Sequence, residues 1–107
     1  LSNGYEKRIS QINRLIPIIK NSPYESVICT DLNDIPISYA YHCFDKYFTD
    51  AFTLSGNGMG GTYIGNIPGL RIDYIWHSKK LSSSNYKTHQ QEFSDHKPIS
   101  STIFKKK

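Results

Sequence analysis

The 107 residues suffice for one small domain with a single modest core, and eight Tyr and five Phe exclude the aromatic-poor composition of a disordered chain. No apolar stretch approaches the ~20 residues that a membrane helix needs. The net charge of +4 falls to +1 once Lys105, Lys106 and Lys107 are set aside, so the body is near neutral and offers no dedicated nucleic-acid patch.

The chain begins with Leu1 rather than Met, which predicts a piece of a longer protein. Over residues 5–20, Ile9, Ile12, Leu15, Ile16 and Ile19 recur at helical spacing and predict one amphipathic helix. Asn3 followed by Glu6 reads as a capping box, and Pro17 should kink or shorten the helix near its end. Ser26 to Thr30 is a short apolar run that predicts a buried strand, with Cys29 as a buried thiol. Cys29 and Cys43 match neither a disulfide framework nor a zinc pattern. A second helix is predicted over residues 39–48, capped by Ser38. Its Tyr41, Phe44, Tyr47 and Phe48 read as packing rather than as base-stacking groups.

The glycine-rich stretch 55–69 predicts a long loop, the kind of segment that often carries function. It lacks the Lys-Ser/Thr of a phosphate loop. Ile72 to Trp76 predicts a strand, with Asp73 on the face opposite Ile72 and Tyr74, and Trp76 in the core. Residues 78–85 read as a Lys/Ser-rich loop and 86–93 as an exposed polar strand. Pro98 to Phe104 predicts a last strand with Ile99, Ser101 and Ile103 on one face. His42, His77 and His89 have no motif around them and read as surface or helix residues. The alternation of helices and strands gives an α/β fold class.

Three acidic motifs stand at the ends of apolar runs, where α/β proteins aim catalytic groups. Asp31 and Asn33 lie two apart just past a strand and point to one side. A carboxylate there can orient a water and take its proton, while the carboxamide bonds a phosphate oxygen or the Asp itself. Alone, the pair is also what a strand-to-helix turn would use. Asp95-His96 can serve a cation and a phosphate together, yet it also reads as a turn before a strand. Asp73, inside an apolar run, is costly unless paired; His96 can provide that pairing, and the Asp73 carboxylate would in turn fix the His96 tautomer.

Asp31-Leu32-Asn33-Asp34-Ile35-Pro36, Arg71-Ile72-Asp73-Tyr74-Ile75 and Ser94-Asp95-His96-Lys97-Pro98-Ile99 resemble the endonuclease/exonuclease/phosphatase superfamily. That group includes pancreatic-type deoxyribonucleases, abasic-site endonucleases, inositol-polyphosphate phosphatases and neutral sphingomyelinases. Pro36-Ile37-Ser38-Tyr39 is similar to the continuation of the first motif in bacterial members. The resemblance implies part of a four-layer α/β sandwich, the deoxyribonuclease-like fold. It implies divalent-metal-dependent phosphoester hydrolysis, with Mg²⁺ or Mn²⁺ as cofactor. Carried over position by position, Asp31 would be the base or water-orienting acid, and Asn33 would hold the phosphate or the nucleophile. Asp73 would orient His96, Asp95 would act at the metal, and His96 would stabilise the transition state. Thr62 and Tyr63 would line the substrate cleft, while Arg71 reads either as a group that reaches a phosphate there or as the partner of a carboxylate in an ordinary salt bridge.

Two departures accompany the resemblance. Thr30 stands where the family has Gly. Residues 1–107 also match only the C-terminal portion of such a domain. The N-terminal half, with an Asn, a metal-binding Glu and a second His, is absent, so the piece alone is expected to be inactive. The substrate implied is nucleic acid, a phospholipid headgroup or an inositol phosphate. The missing half would be the chief partner, and an upstream segment would set any membrane anchoring or extracytoplasmic location. The alternative is a non-catalytic binding or scaffold module that keeps the fold.

Overall fold

The computed structural model describes residues 3–32, 37–56, 61–62, 71–90 and 95–107, apart from the side chains of Asn3, Tyr5 and Ile37. Asn33, Tyr63, the Asn3 half of the expected capping box and most of the glycine-rich stretch therefore lie outside the described residues. Helix α1 (Asn3–Lys20) is followed by strand β1 (Val27–Asp31), α2 (Ile37–Asp45), β2 (Phe48–Asp50) and α3 (Ala51–Ser55). Strands β3 (Asp73–Ser78), β4 (Leu81–Thr88) and β5 (Ile99–Lys105) complete the chain. The result is a small mixed α/β domain with two antiparallel sheets, a three-stranded one in the order β1-β3-β2 and the β4-β5 pair.

Alternation along β3 divides the molecule. Tyr74 and Trp76 face the helices, where they meet Ile12 and Ile16 of α1, Ala40 and Phe44 of α2, and Phe48. Trp76 is fully buried, stacks on Phe44 at 5.3 Å and on Tyr74 at 5.5 Å, and donates its indole N–H to Thr30 Oγ1 at 3.1 Å. Burial of that size dominates a small core. Ile75, on the opposite face, packs with Tyr86 of β4, Ile99 and Ile103 of β5, and Ala51 and Phe52 of α3. Pro17 does not break α1, which runs on to Lys20 with Asn21 N–H closing the last turn on Pro17 O. Leu15 is the one member of the expected apolar stripe that stays exposed.

Several expectations from the sequence are corrected. The expected helix over 39–48 stops at Asp45, and Phe48 begins a strand. Asp50 then caps α3 by accepting Phe52 N–H. The supposed loop over 78–85 is mostly β4, paired along its length with β5, and that strand ends at Thr88. A bulge hides it from a period-two reading. The pairing slips by one residue between Ser84 and Lys87, and Asn85 takes a left-handed φ of 54°. Leu81, Ser83 and then Tyr86 consequently face inward, out of strict alternation. His77, expected on the surface or in a helix, is a fully buried residue of β3. Its Nδ1–H donates to Ser78 O at 2.9 Å, which leaves Nε2 to accept Ser83 Oγ–H at 3.0 Å. Cys29, expected buried, is exposed. It lies with half-exposed Val27 and with Asp31 on the face of β1 that no described element covers. Among the described residues, no helix is long and apolar enough to cross a membrane.

Candidate active site

That bare face of β1 ends in the site. Asp31 is the last residue of β1 and Asp73 the first of β3, and the two are direct partners across the antiparallel ladder. Paired residues share a face, so both carboxylates project to the same side. Like charges so placed destabilise a sheet unless a positive group joins them. His96, carried in by the segment that leads to β5, is that group. Its Nδ1–H donates to Asp73 Oδ2 at 2.7 Å, and its Nε2 lies 3.8 Å from Asp31 Oδ2. A carboxylate only accepts, so the proton sits on Nδ1 and Nε2 faces Asp31.

The three side chains are graded in exposure, with Asp73 at 20%, His96 at 25% and Asp31 at 56%. They stand in an open groove of about 540 Å³ between β1, β3 and the approach to β5, whose other walls include Cys29, Ile75, Lys97 and Pro98. The hydrogen bond to Asp73 raises the His96 pKa above its ordinary value against the opposing effect of burial, and the charges of Asp73, Asp31 and Asp95 add to the rise. One ligand atom from each of Asp31, Asp73 and His96 lies within 4.8 Å of the others, so the group could hold a metal ion. Two carboxylates and an imidazole are a donor set suited to a hard or borderline divalent cation.

The other expected site residues fall differently. Asp95, expected at or near the metal, is exposed, lies outside this group of three and acts on His96 through its charge. Thr62 was expected to line the substrate cleft, but it is fully buried and bonded to backbone. Of the two readings open for Arg71, the salt bridge is the one seen: its guanidinium is turned inward on Asp50 at 2.8 and 3.2 Å, between the rings of Phe52 and Tyr74. Burial works against that charge, yet the bonds and field of Asp50 outweigh it and raise the Arg71 pKa. Asp50 itself escaped the sequence reading. Its one available signal was the N-cap pattern ahead of Ala51-Phe52-Thr53.

No family model matches the chain. No curated protein matches it either. Among solved structures it is similar to a mannosyl-6-phosphatase of Bacteroides thetaiotaomicron VPI-5482, with a TM-score of 0.61 at 15% sequence identity. The match covers 92% of this chain and 45% of that one, so the chain spans less than half the length of its structural neighbour. At such identity the likeness is one of fold.

Proposed function

We propose that this chain is the C-terminal portion of a metal-dependent phosphohydrolase of the endonuclease/exonuclease/phosphatase type, one layer pair of a four-layer sandwich. The observation that carries the reading is the Asp31–His96–Asp73 constellation. Two acids face each other across a ladder, one imidazole joins them, and all three open on one groove. A packing role explains none of these features. The motif order in the sequence and the likeness in fold to a phosphatase support the same reading. A scaffold module would need no such set.

Each residue has a distinct task in this reading. Asp73 positions His96 and keeps its proton on Nδ1. Once protonated, His96 presents Nε2–H to a phosphate oxygen and stabilises the charge that builds there. Asp31, the most exposed of the three, orients the attacking water and accepts its proton. The water oxygen bonds to phosphorus as the ester oxygen departs in line. Asn33 would bind the phosphate beside Asp31. Asp31 and Asp73, with Asp95 close by, would hold Mg²⁺ or Mn²⁺, and the absent half would complete the ligand set. When bound, such a cation neutralises phosphate charge and lowers the pKa of a ligated water.

The test uses the full-length protein with Mg²⁺. Substrates are bis-nitrophenyl phosphate, supercoiled DNA, sphingomyelin, inositol phosphates and a mannosyl 6-phosphate. At least one should be hydrolysed, and Asp31→Ala and His96→Ala should each lower kcat by about 10²–10⁴-fold. Turnover that survives both substitutions would sink the reading.

A further inference from the structure

Thr62 sits at the junction of the two chain segments that carry Asp73 and His96. Its side chain is fully buried. Thr62 Oγ1 accepts the backbone N–H groups of Ile72 at 3.0 Å and Asp73 at 3.2 Å. Its own carbonyl accepts Lys97 N–H at 2.8 Å. One residue thus anchors the amide of the acid and the amide next to the imidazole.

We infer that Thr62 is a positioning residue, a buried clamp that fixes the start of β3 against the His96 segment and so holds the His96–Asp73 hydrogen bond. Asp73 opens β3, where ladder bonding begins, and Ile72 already spends its carbonyl on Leu32 N–H. Without the Thr62 hydroxyl, the N–H groups of Ile72, which is fully buried, and of half-buried Asp73 would lose the partner seen here. A strand end in that state shifts to recover a partner. The shift would move the Asp73 carboxylate relative to an imidazole held at 2.7 Å, a distance with little slack. Hydroxyl and carbonyl hold different chain segments, so Thr62 sets a separation rather than one position. Its catalytic consequence rests on the hydrolase reading above, but its effect on the imidazole does not.

The test reads the His96 tautomer directly. Long-range proton–nitrogen NMR spectra of the full-length protein are recorded at a pH where the ring is neutral, with His96 assigned by its loss in His96→Gln. Asp73 holds the proton on Nδ1, whereas a released imidazole favours Nε2. Thr62→Val keeps the size and removes the acceptor. It should move His96 towards the Nε2–H form while the backbone spectrum stays folded. Thr62→Ser restores the oxygen and should restore the Nδ1–H form. Thr62→Cys, whose sulfur accepts weakly, should fall between them and carries the same test where the Val variant does not fold. In the hydrolase assay Val should lower kcat by roughly 10- to 100-fold with KM held within about 2-fold, and Ser should recover most of the loss. A folded Val or Cys variant with an unchanged Nδ1–H tautomer would overturn the inference. A tautomer shift in a protein that hydrolyses none of the esters would uphold the clamp and remove only the reaction it serves.

Discussion

Two clusters of charge lie close together on opposite faces of one sheet, and they are built on opposite principles. Asp50 and Arg71 form the first. The Asp50 carboxylate accepts from Phe52 N–H and Arg71 on one oxygen, and from Arg71 and the Tyr41 hydroxyl on the other. Its acceptor capacity is used up, its side chain is wholly buried, and aromatic rings close over its partner. Asp31, Asp73 and His96 form the second, with two carboxylates to one imidazole, an open groove and graded exposure. Arg71 and Asp73 are two residues apart, yet one belongs to a closed structural joint and the other to an open site. A surplus of like charge held in place, rather than charge itself, marks the candidate for chemistry.

The sharpest way to break this contrast is to remove a member of the open cluster. In the full-length protein His96→Ala should lower kcat by about 10²–10⁴-fold and change unfolding free energy by no more than about 1 kcal/mol. A urea midpoint that collapses with the activity would make the second cluster as structural as the first. Asp50→Ala should do the reverse. Removing one partner of a buried ion pair leaves the other charge uncompensated and costs about 3–5 kcal/mol. Urea unfolding would show this directly. Arg71→Lys should destabilise less than Asp50→Ala, because an ammonium keeps the charge but cannot make the two parallel bonds of the guanidinium. In Asp50→Ala the Tyr41 hydroxyl should also ionise more readily. Burial, followed by the Asp50 charge and hydrogen bond, now pushes its pKa up to about 12.

The open cluster was largely legible in the sequence, and the closed one was not. Asp73 stood inside an apolar run, so a partner for it was required, and His96 was the group in the motifs able to serve. Strands β1 and β3 were visible as apolar runs, and β5 from Ile99, Ser101 and Ile103 on one face. Asp50 gave no comparable signal, because Asp before a short helix is an ordinary cap and nothing local shows that a cation 21 residues away will share it. Strand β4 was lost to three serines and a bulge that reverses its facing. Cys29 was misjudged because an apolar run shows that a strand is buried without showing on which face. Thr62 was placed near the site for the wrong reason, since hydrogen bonds to backbone leave no mark in composition.

A smaller test separates the clusters by pH. His96 has a raised pKa in the folded protein, from its bond to Asp73 foremost, so the native state binds the proton more tightly than the unfolded chain. Its contribution to stability is therefore full below the unfolded value of about 6.5 and is lost as pH climbs through the folded value. Without divalent cations, urea midpoints should fall across that window, and His96→Gln should flatten the slope. A slope that persists in His96→Gln would place the titrating group elsewhere.

The smallest expected effect concerns Tyr86, whose ring meets Phe52 edge-on at 5.3 Å beside the closed cluster. Among the described residues its hydroxyl is the one buried side-chain polar atom without a hydrogen-bond partner. Burial pushes its pKa up to about 12, although the charge of Arg71 and the approach of its guanidinium N–H to the phenol oxygen pull the other way. The closed cluster thus saturates Asp50, while the Tyr86 oxygen has Arg71 nearby and its O–H finds no acceptor of good geometry among the described residues. An unsatisfied buried hydroxyl costs about 1–3 kcal/mol, partly recovered by the packing of the oxygen itself. Tyr86→Phe keeps the ring and its edge contact, removes the hydroxyl and leaves a small void. The balance should be neutral or a gain of up to about 1 kcal/mol, read as an unchanged or higher urea midpoint with hydrolysis intact. A loss above about 1 kcal/mol would mean that the hydroxyl has a partner in the folded protein, and the closed cluster would then extend from Asp50 and Arg71 into β4.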